Sequence, residues 1–263
     1  MSDGSPLVSI IIPTYNREAL LRETLGSLFE QTYDHFEILV IDNYSTDATE
    51  QFLKNIADQK VKHFKNKNHG VISVNRNFGI KHAQGKYICF CDSDDLWEKE
   101  KLAIQVEFME KHQNIGLCFT DGKFITEKGI IVGNYFKKRV PEKITFDTLL
   151  LRNYISTVSV MIRSVILDTV GMFDESRELV GIEDLNFWLR IAKEHSLSYI
   201  PEALFKYRMH EGNIMGVDSY QWARKCMMLA RYMYKKELFS KAEFIKMYGY
   251  NVVKSFYYSL KGI

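Results

Sequence analysis

Three times between Val8 and Asp95 a short apolar run stops at a polar loop, and this recurrence restricts the chain to an alternating α/β design. Val8-Ser9-Ile10-Ile11-Ile12-Pro13 is β-branched and ends at a proline, as a buried strand does on reaching a loop. From Glu18 to Gln31, Leu20, Leu21, Leu25, Leu28 and Phe29 recur at helical spacing, and Glu37 to Ile41 is a second apolar strand ending at Asp42. Strand, helix, strand implies a parallel pair. Asp47, with Glu50 three residues on, reads as a helix start and predicts a helix over Ala48 to Ala57. Lys62 to Phe64 reads as a short strand and Val71 to Ala83 as a helix. Tyr87-Ile88-Cys89-Phe90-Cys91 is then a buried strand that delivers Asp92-Ser93-Asp94-Asp95 at its carboxyl end. Ligands of open α/β sheets bind beyond the carboxyl ends of the strands, so a nucleotide site is expected there.

Beyond Glu98 the alternation loosens. The pattern gives a helix to about His112, a strand at Gly116 to Thr120, a hairpin-like stretch around Lys128-Gly129 and a strand over Thr157 to Ile162. With 46% apolar residues in 263, the chain can bury one substantial core. No repeat, low-complexity segment or Pro/Gly/Ser-rich linker breaks it. The expectation is a catalytic domain over 1–215, with a donor-binding half at about 1–97 and an acceptor-binding half at about 98–215, followed by a helical extension over 216–263.

Charge is uneven. Gln221 to Ile263 holds nine Lys/Arg against two acids, a local +7, whereas the whole chain is +2, which leaves the first 220 residues at −5. The tail also carries Trp222, Tyr232, Tyr234, Phe239, Tyr257 and Tyr258, so it is expected either to rest on an anionic membrane or a partner, or to cover the core with two helices. No stretch approaches the ~18 apolar residues of a membrane span, and Met1 to Pro6 lacks the features of a signal peptide. Cys89, Cys91, Cys118 and Cys226 show no metal-ligand spacing. A reduced cytoplasmic protein, at most peripheral at the inner face of the membrane and without a nucleic-acid partner, is expected.

Asp92-Ser93-Asp94-Asp95 crowds three carboxylates onto one corner, where their repulsion is costly unless a cation offsets it. Hard oxygens suit Mg²⁺ or Mn²⁺, which could bridge the two phosphates of a nucleoside diphosphate. The plainer alternative is a solvated acidic turn capping the helix near Glu98. Arg76, after Gly70, could pair with a donor phosphate or lie on the surface, and Gly79 is expected to let a helix pack closely on the sheet. Glu183-Asp184 precedes Leu185, Phe187, Trp188, Leu189 and Ile191, which places the acids at the amino end of an amphipathic helix.

Read together, five segments resemble glycosyltransferase family 2, a bacterial-type family of inverting enzymes with the GT-A fold. They are Val8 to Arg17, Ile41 to Asp47, Asn75-Arg76-Asn77-Phe78-Gly79, the Asp92 to Asp95 cluster, and Gly181-Ile182-Glu183-Asp184. The resemblance covers about Leu7 to Met215 and implies a Rossmann-like mixed, mainly parallel sheet flanked by helices. It implies that Pro13, Thr14, Tyr15 and Asn16 cradle the donor nucleotide with Asp42, Asn43, Arg76, Asp92 and Ser93. Asp94, Asp92 and His210 would hold the metal, Asp184 would act as general base, and Glu183 and Trp188 would face the acceptor. Asn43 stands where the family usually has a second aspartate, so the base contact would be made by an amide. The implied reaction moves a sugar from a nucleotide-sugar donor to a saccharide or lipid-linked acceptor.

A dinucleotide-dependent dehydrogenase is a poor fit, because Pro13-Thr14-Tyr15-Asn16 stands where a Gly-x-Gly-x-x-Gly would follow the first strand. A nucleotidyltransferase, which would release pyrophosphate, is the enzymatic alternative. A catalytically silent sugar-nucleotide-binding scaffold is the other.

Overall fold

The computed structural model describes residues 4–136, 139–141, 143–209 and 219–261. The donor half builds β1 (Val8–Thr14), α1 (Glu18–Phe29), β2 (Phe36–Asp42), α2 (Thr49–Lys54), β3 (Val61–Lys65), α3 (Ile72–His82), β4 (Tyr87–Phe90) and β5 (Leu96–Trp97). The second half continues with α4 (Lys101–Lys111), β6 (Ile115–Ile125), β7 (Ile131–Asn134), α5 (Phe146–Leu149), β8 (Met161–Arg163), α6 (Leu167–Val170), α7 (Glu183–Glu194) and β9 (Ser196–Arg208). Two longer helices, α8 (Ser219–Lys235) and α9 (Lys241–Lys261), complete the described chain.

Among the described residues nine strands form one sheet in the order β3-β2-β1-β4-β8-β6-β9-β5, with β7 hairpinned onto β6. The four strands β3, β2, β1 and β4 run parallel, and every antiparallel pair includes a strand of the second half. Alternation along each strand divides the core in two. Ile11, Leu39, Ile41, Ile88 and Phe90 enter one layer, whereas Ile10, Ile12, Ile38, Val40, Cys89 and Cys91 enter the other. Both faces are therefore covered, which explains why these strands read as continuous apolar runs rather than as alternating ones.

Gly79 allows α3 to lie directly on β1. A Cβ there would stand 2.5 Å from Ile11 Cγ2. Gly79→Ala is expected to destabilise the protein by about 1–3 kcal/mol through overpacking, read as a lower urea midpoint at unchanged slope.

Differences from the sequence reading have local causes. The predicted strand over Thr157 to Ile162 begins instead as a 3₁₀ turn, Thr157–Ser159, because Ser159 donates both its N–H (3.0 Å) and its hydroxyl (2.6 Å) to the Ser156 carbonyl. Only Met161–Arg163 pairs into the sheet. The second helix stops at Lys54 and tightens into i to i+3 bonds at Asn55 and Ile56. The strand expected to end at Thr120 runs on to Ile125, with its register against β9 shifting on either side of Asp121.

The inner faces of α8 and α9 are part of the catalytic core. Cys226, Leu229, Ala230, Met233, Phe239 and Met247 share one buried cluster with Leu185, Phe187, Trp188 and Leu189 of α7. Of the tail aromatics, Tyr232 and Phe239 are buried in this way, whereas Tyr234 and Tyr257 are exposed. The expected boundary near residue 215 falls outside the described residues.

Candidate active site

The carboxyl ends of β1, β2 and β4 open onto one cavity of about 350 Å³, lined by Pro13, Thr14, Tyr15, Arg17, Asn43, Asn68, Asp92, Ser93, Asp94, Asp95 and Tyr207. Parallel neighbours place these loops side by side, and Asn43 N–H donates to the Thr14 carbonyl at 2.9 Å. The Thr14 hydroxyl is buried with no protein partner, and Tyr15 is half exposed. Asn43 accepts from Asn68 N–H through Oδ1 at 2.9 Å, which fixes its amide orientation.

Three residues expected at the donor lie outside this cavity: Arg76, which lines the neighbouring one, Asp42 and Asn16. Asp42 is sealed from solvent beneath Ser45, whose N–H (2.9 Å) and hydroxyl (2.5 Å) both donate to Oδ1, so it shapes the loop without lining the cavity. Asn16, at φ 49°, spends Oδ1 on Thr46 N–H at 2.7 Å and joins the first loop to the second. Asparagine tolerates the left-handed conformation better than most non-glycine residues, and this long-range bond holds it there.

The three aspartates after β4 divide in role. Asp94 Oδ2 pairs with Arg17 at 2.5 Å, and Asp92 Oδ1 pairs with Arg76 at 3.0 Å. Asp95 turns inward to accept from Arg208 N–H at 3.0 Å. Burial first, and then the charges of Asp94 and Asp92, push the Asp95 carboxyl well above the usual carboxylate range. Arg208, itself buried, also donates to the Asp94 carbonyl at 2.9 Å and pairs with Glu23 at 2.6 Å, so the end of β9 braces the whole corner. His210 lies outside the described residues.

A second cavity, of about 510 Å³, adjoins the first. Arg76, Asp92, Glu183, Asp184 and Asn153 line it together with Tyr135, Phe136, Tyr154, Tyr207 and Trp222. Arg76 is neither a surface residue nor a group held open for phosphate. It is buried between Asp92 and Glu183, at 3.0 and 3.1 Å, and so ties the end of β4 to the start of α7. Burial works against its charge, but Asp92 and Glu183 more than offset that and hold its proton firmly. Removing one member of such a buried pair costs roughly 3–5 kcal/mol.

Glu183 and Asp184 are adjacent but not equivalent. Both Glu183 oxygens are engaged, Oε1 by Arg76 and Oε2 by Gly181 N–H at 2.6 Å. Asp184 Oδ1 accepts from Leu185 N–H at 2.7 Å, while Oδ2 has only a long contact of 3.4 Å from Asn153. Burial first and the Glu183 charge second push the Asp184 carboxyl up to about 7, and Leu185 N–H, Arg76 and Asn153 pull it back. Its side chain keeps some access to solvent, which screens part of that rise.

Trp188 is a correction. It was expected at the acceptor, but it is fully buried against Phe173 and Phe187, because α7 turns its apolar face to the core. Sequence reasoning missed Arg17, Asn153, Tyr207 and Trp222 as cavity residues. Tyr207 reaches the wall of both cavities from the carboxyl end of β9.

The family model for "Glycosyl transferase family 2" matches residues 9–168, which contain both loops, Arg76 and the aspartate corner. The chain belongs to glycosyltransferase family 2. Over 210 residues it is 33% identical to the Escherichia coli UDP-Glc:alpha-D-GlcNAc-diphosphoundecaprenol beta-1,3-glucosyltransferase WfgD, covering 79% of each chain. It is also 33% identical, over 89% of its own length, to an uncharacterized glycosyltransferase of Rickettsia felis, of which it spans only 38%. Among solved structures, Staphylococcus aureus TarS 1-349 in complex with UDP-GlcNAc superposes with a TM-score of 0.71 at 23% identity, over 97% of this chain and 75% of that one. The fold is thus the GT-A type that the sequence resemblance implied, and the protein is a glycosyltransferase.

Proposed function

We propose that the protein transfers one sugar from a nucleoside-diphosphate sugar to a hydroxyl of a saccharide or lipid-linked acceptor, with inversion at the anomeric carbon, in polysaccharide or glycoconjugate synthesis. The observation that carries this reading is a shared wall. Asp92 and Tyr207 border both cavities, so ligands held in the two meet at that wall. The first cavity takes the donor nucleotide, with the Tyr15 ring against the base and the orphaned Thr14 hydroxyl as a polar contact. Asn43, its oxygen given to Asn68, meets the base through its amide Nδ2. The relative named for UDP-Glc and a diphosphoundecaprenol-linked acceptor supports both halves of the proposal.

Asp94 and Asp92 would hold a divalent cation. Among the described residues no group of three acidic, His or Cys ligands gathers, and these two carboxylates are each offset by an arginine. That donor set fits Mg²⁺ or Mn²⁺ taking most of its ligands from the donor phosphates and water rather than a closed protein cage. When bound, the cation would neutralise charge on the departing diphosphate. Asp184 would take the acceptor proton as the new bond forms.

The test is acceptor-dependent release of nucleoside diphosphate, measured as a function of pH. Only ionised Asp184 acts as a base, so activity must be lost as pH falls through the raised value of about 7. Acceptor kcat/KM is expected to rise about tenfold per pH unit below that point and to level off above it. A flat profile from about pH 5 to 8 would remove Asp184 from the role. Release of pyrophosphate from a nucleoside triphosphate would establish the nucleotidyltransferase instead.

A further inference from the structure

The outer face of α9 is apolar and exposed along most of its length. Its inner side buries Met247 and Asn251. On the outside, Ile245 is 57% exposed, Val253 70%, Phe256 66% and Leu260 72%, with Val252 and Tyr257 beside them. Positions 245, 249, 252, 253, 256, 257 and 260 recur at three- and four-residue steps, so they form a single stripe. A solvated helix would carry acids there, yet the one acid within α9, Glu243, is engaged by Lys193 and the Ser240 N–H. A continuous exposed apolar stripe of this length marks an interaction surface.

Charge and position select what covers it. The segment Ser219 to Lys261 carries nine Lys/Arg against Glu237 and Glu243. Four cations, Arg224, Lys225, Arg231 and Lys235, against the single acid Glu178 line a groove of about 420 Å³ with Met228 and Tyr248, and Arg231 donates to the Tyr248 hydroxyl. Tyr248 lies on α9 one turn from both Ile245 and Val252, so basic groove and apolar stripe share an edge. Cations and tyrosines edging an apolar helical face form the pattern of a helix lying in a bilayer interface over anionic headgroups. A second copy of the chain would instead bring two basic edges together. The same helix pair also walls the Asp184 cavity through Ser219, Trp222 and Lys254.

We propose that α8 and α9 form a membrane-docking surface, in which Val253, Phe256 and Leu260 enter the acyl boundary of an anionic bilayer while Arg224, Arg231 and Lys235 meet lipid phosphates. Docked in this way, the Asp184 cavity stands beside the surface from which a lipid-anchored acceptor arrives; this last step rests on the acceptor reading above.

The test is co-sedimentation of the full chain with phosphatidylglycerol-containing and pure phosphatidylcholine vesicles, comparing the unchanged protein with the double variant Val253→Glu/Phe256→Glu. Both positions are exposed and outside both active-site cavities, so fold and turnover on a water-soluble acceptor should persist. Binding is expected only to the anionic vesicles. It should weaken at least about tenfold between roughly 0.1 and 1 M salt, as screening shortens from ~10 to ~3 Å. The double variant should lose about tenfold or more at low salt, and its turnover should fall only on a vesicle-embedded acceptor. Failure of the unchanged protein to bind anionic vesicles, or equal binding by the variant, overturns the proposal. A concentration-dependent dimer abolished by the double variant, without vesicle binding, would also overturn it and assign the stripe to a second copy. Absence of turnover in both proteins on every acceptor would count against the transfer reading, not against docking.

Discussion

Asp184→Asn is expected to lower the rate of sugar transfer by about two to four orders of magnitude while donor affinity stays near that of the unchanged protein. The substitution is nearly isosteric, and the amide oxygen it introduces can still accept the Leu185 N–H that holds Asp184 Oδ1 at 2.7 Å. What disappears is the basic oxygen. The neighbouring acid cannot replace it, because Arg76 and Gly181 N–H already engage both Glu183 oxygens. Removing the second carboxylate also relieves the repulsion that helps raise the Asp184 carboxyl, so Asp184→Asn should leave the protein folded and, if anything, more stable at neutral pH. Steady-state turnover with the acceptor, paired with a donor-binding titration, separates the two effects. Turnover within about threefold of the unchanged protein, with chemistry limiting the rate, would place the base elsewhere.

The donor half is legible in the sequence because one device repeats there. Apolar strands paired in parallel must all end on the same edge of the sheet, so the residues after Thr14, Asp42 and Phe90 converge wherever the helices lie. Periodicity gives the face of a residue but not its depth. Trp188 is expected at the acceptor although α7 turns it into the core, and Asp42 is expected at the nucleotide although its loop folds Ser45 over it. Arg76 is visible as a cation near the phosphates, but its partner Glu183 lies 107 residues away, a contact that no local pattern encodes. The same is true of Arg208, which reaches back 114 residues to the Asp94 carbonyl. The acceptor cavity is the least legible part, since Tyr135, Asn153, Tyr207 and Trp222 come from four separate segments that only the completed fold brings together.

Asp94→Ala is expected to reduce transfer at least about a thousandfold, equivalent to ~4 kcal/mol in the barrier, and to abolish its dependence on added Mn²⁺ or Mg²⁺. Instability does not explain a loss of that size. Arg17, the partner of Asp94, keeps about a third of its side chain in water at 33% exposure, so its freed charge stays hydrated. Asp94, 9% exposed, is the buried member of the pair, so its removal leaves no buried charge unpaired. The corner itself is held by Arg208, through the Asp94 main-chain carbonyl and the Asp95 carboxyl oxygen, and alanine leaves both bonds in place. A binding readout separates the cation's role from turnover. Nucleoside diphosphate with Mn²⁺ should raise the melting temperature of the unchanged protein more than nucleoside diphosphate with chelator does, and Asp94→Ala should erase that difference while keeping the chelator-insensitive part. If Asp94→Ala transfers sugar as fast as the unchanged protein and shows the same metal-dependent shift, the cation is held elsewhere. In that case the Arg17 pair becomes the reason this carboxylate sits at the end of β4.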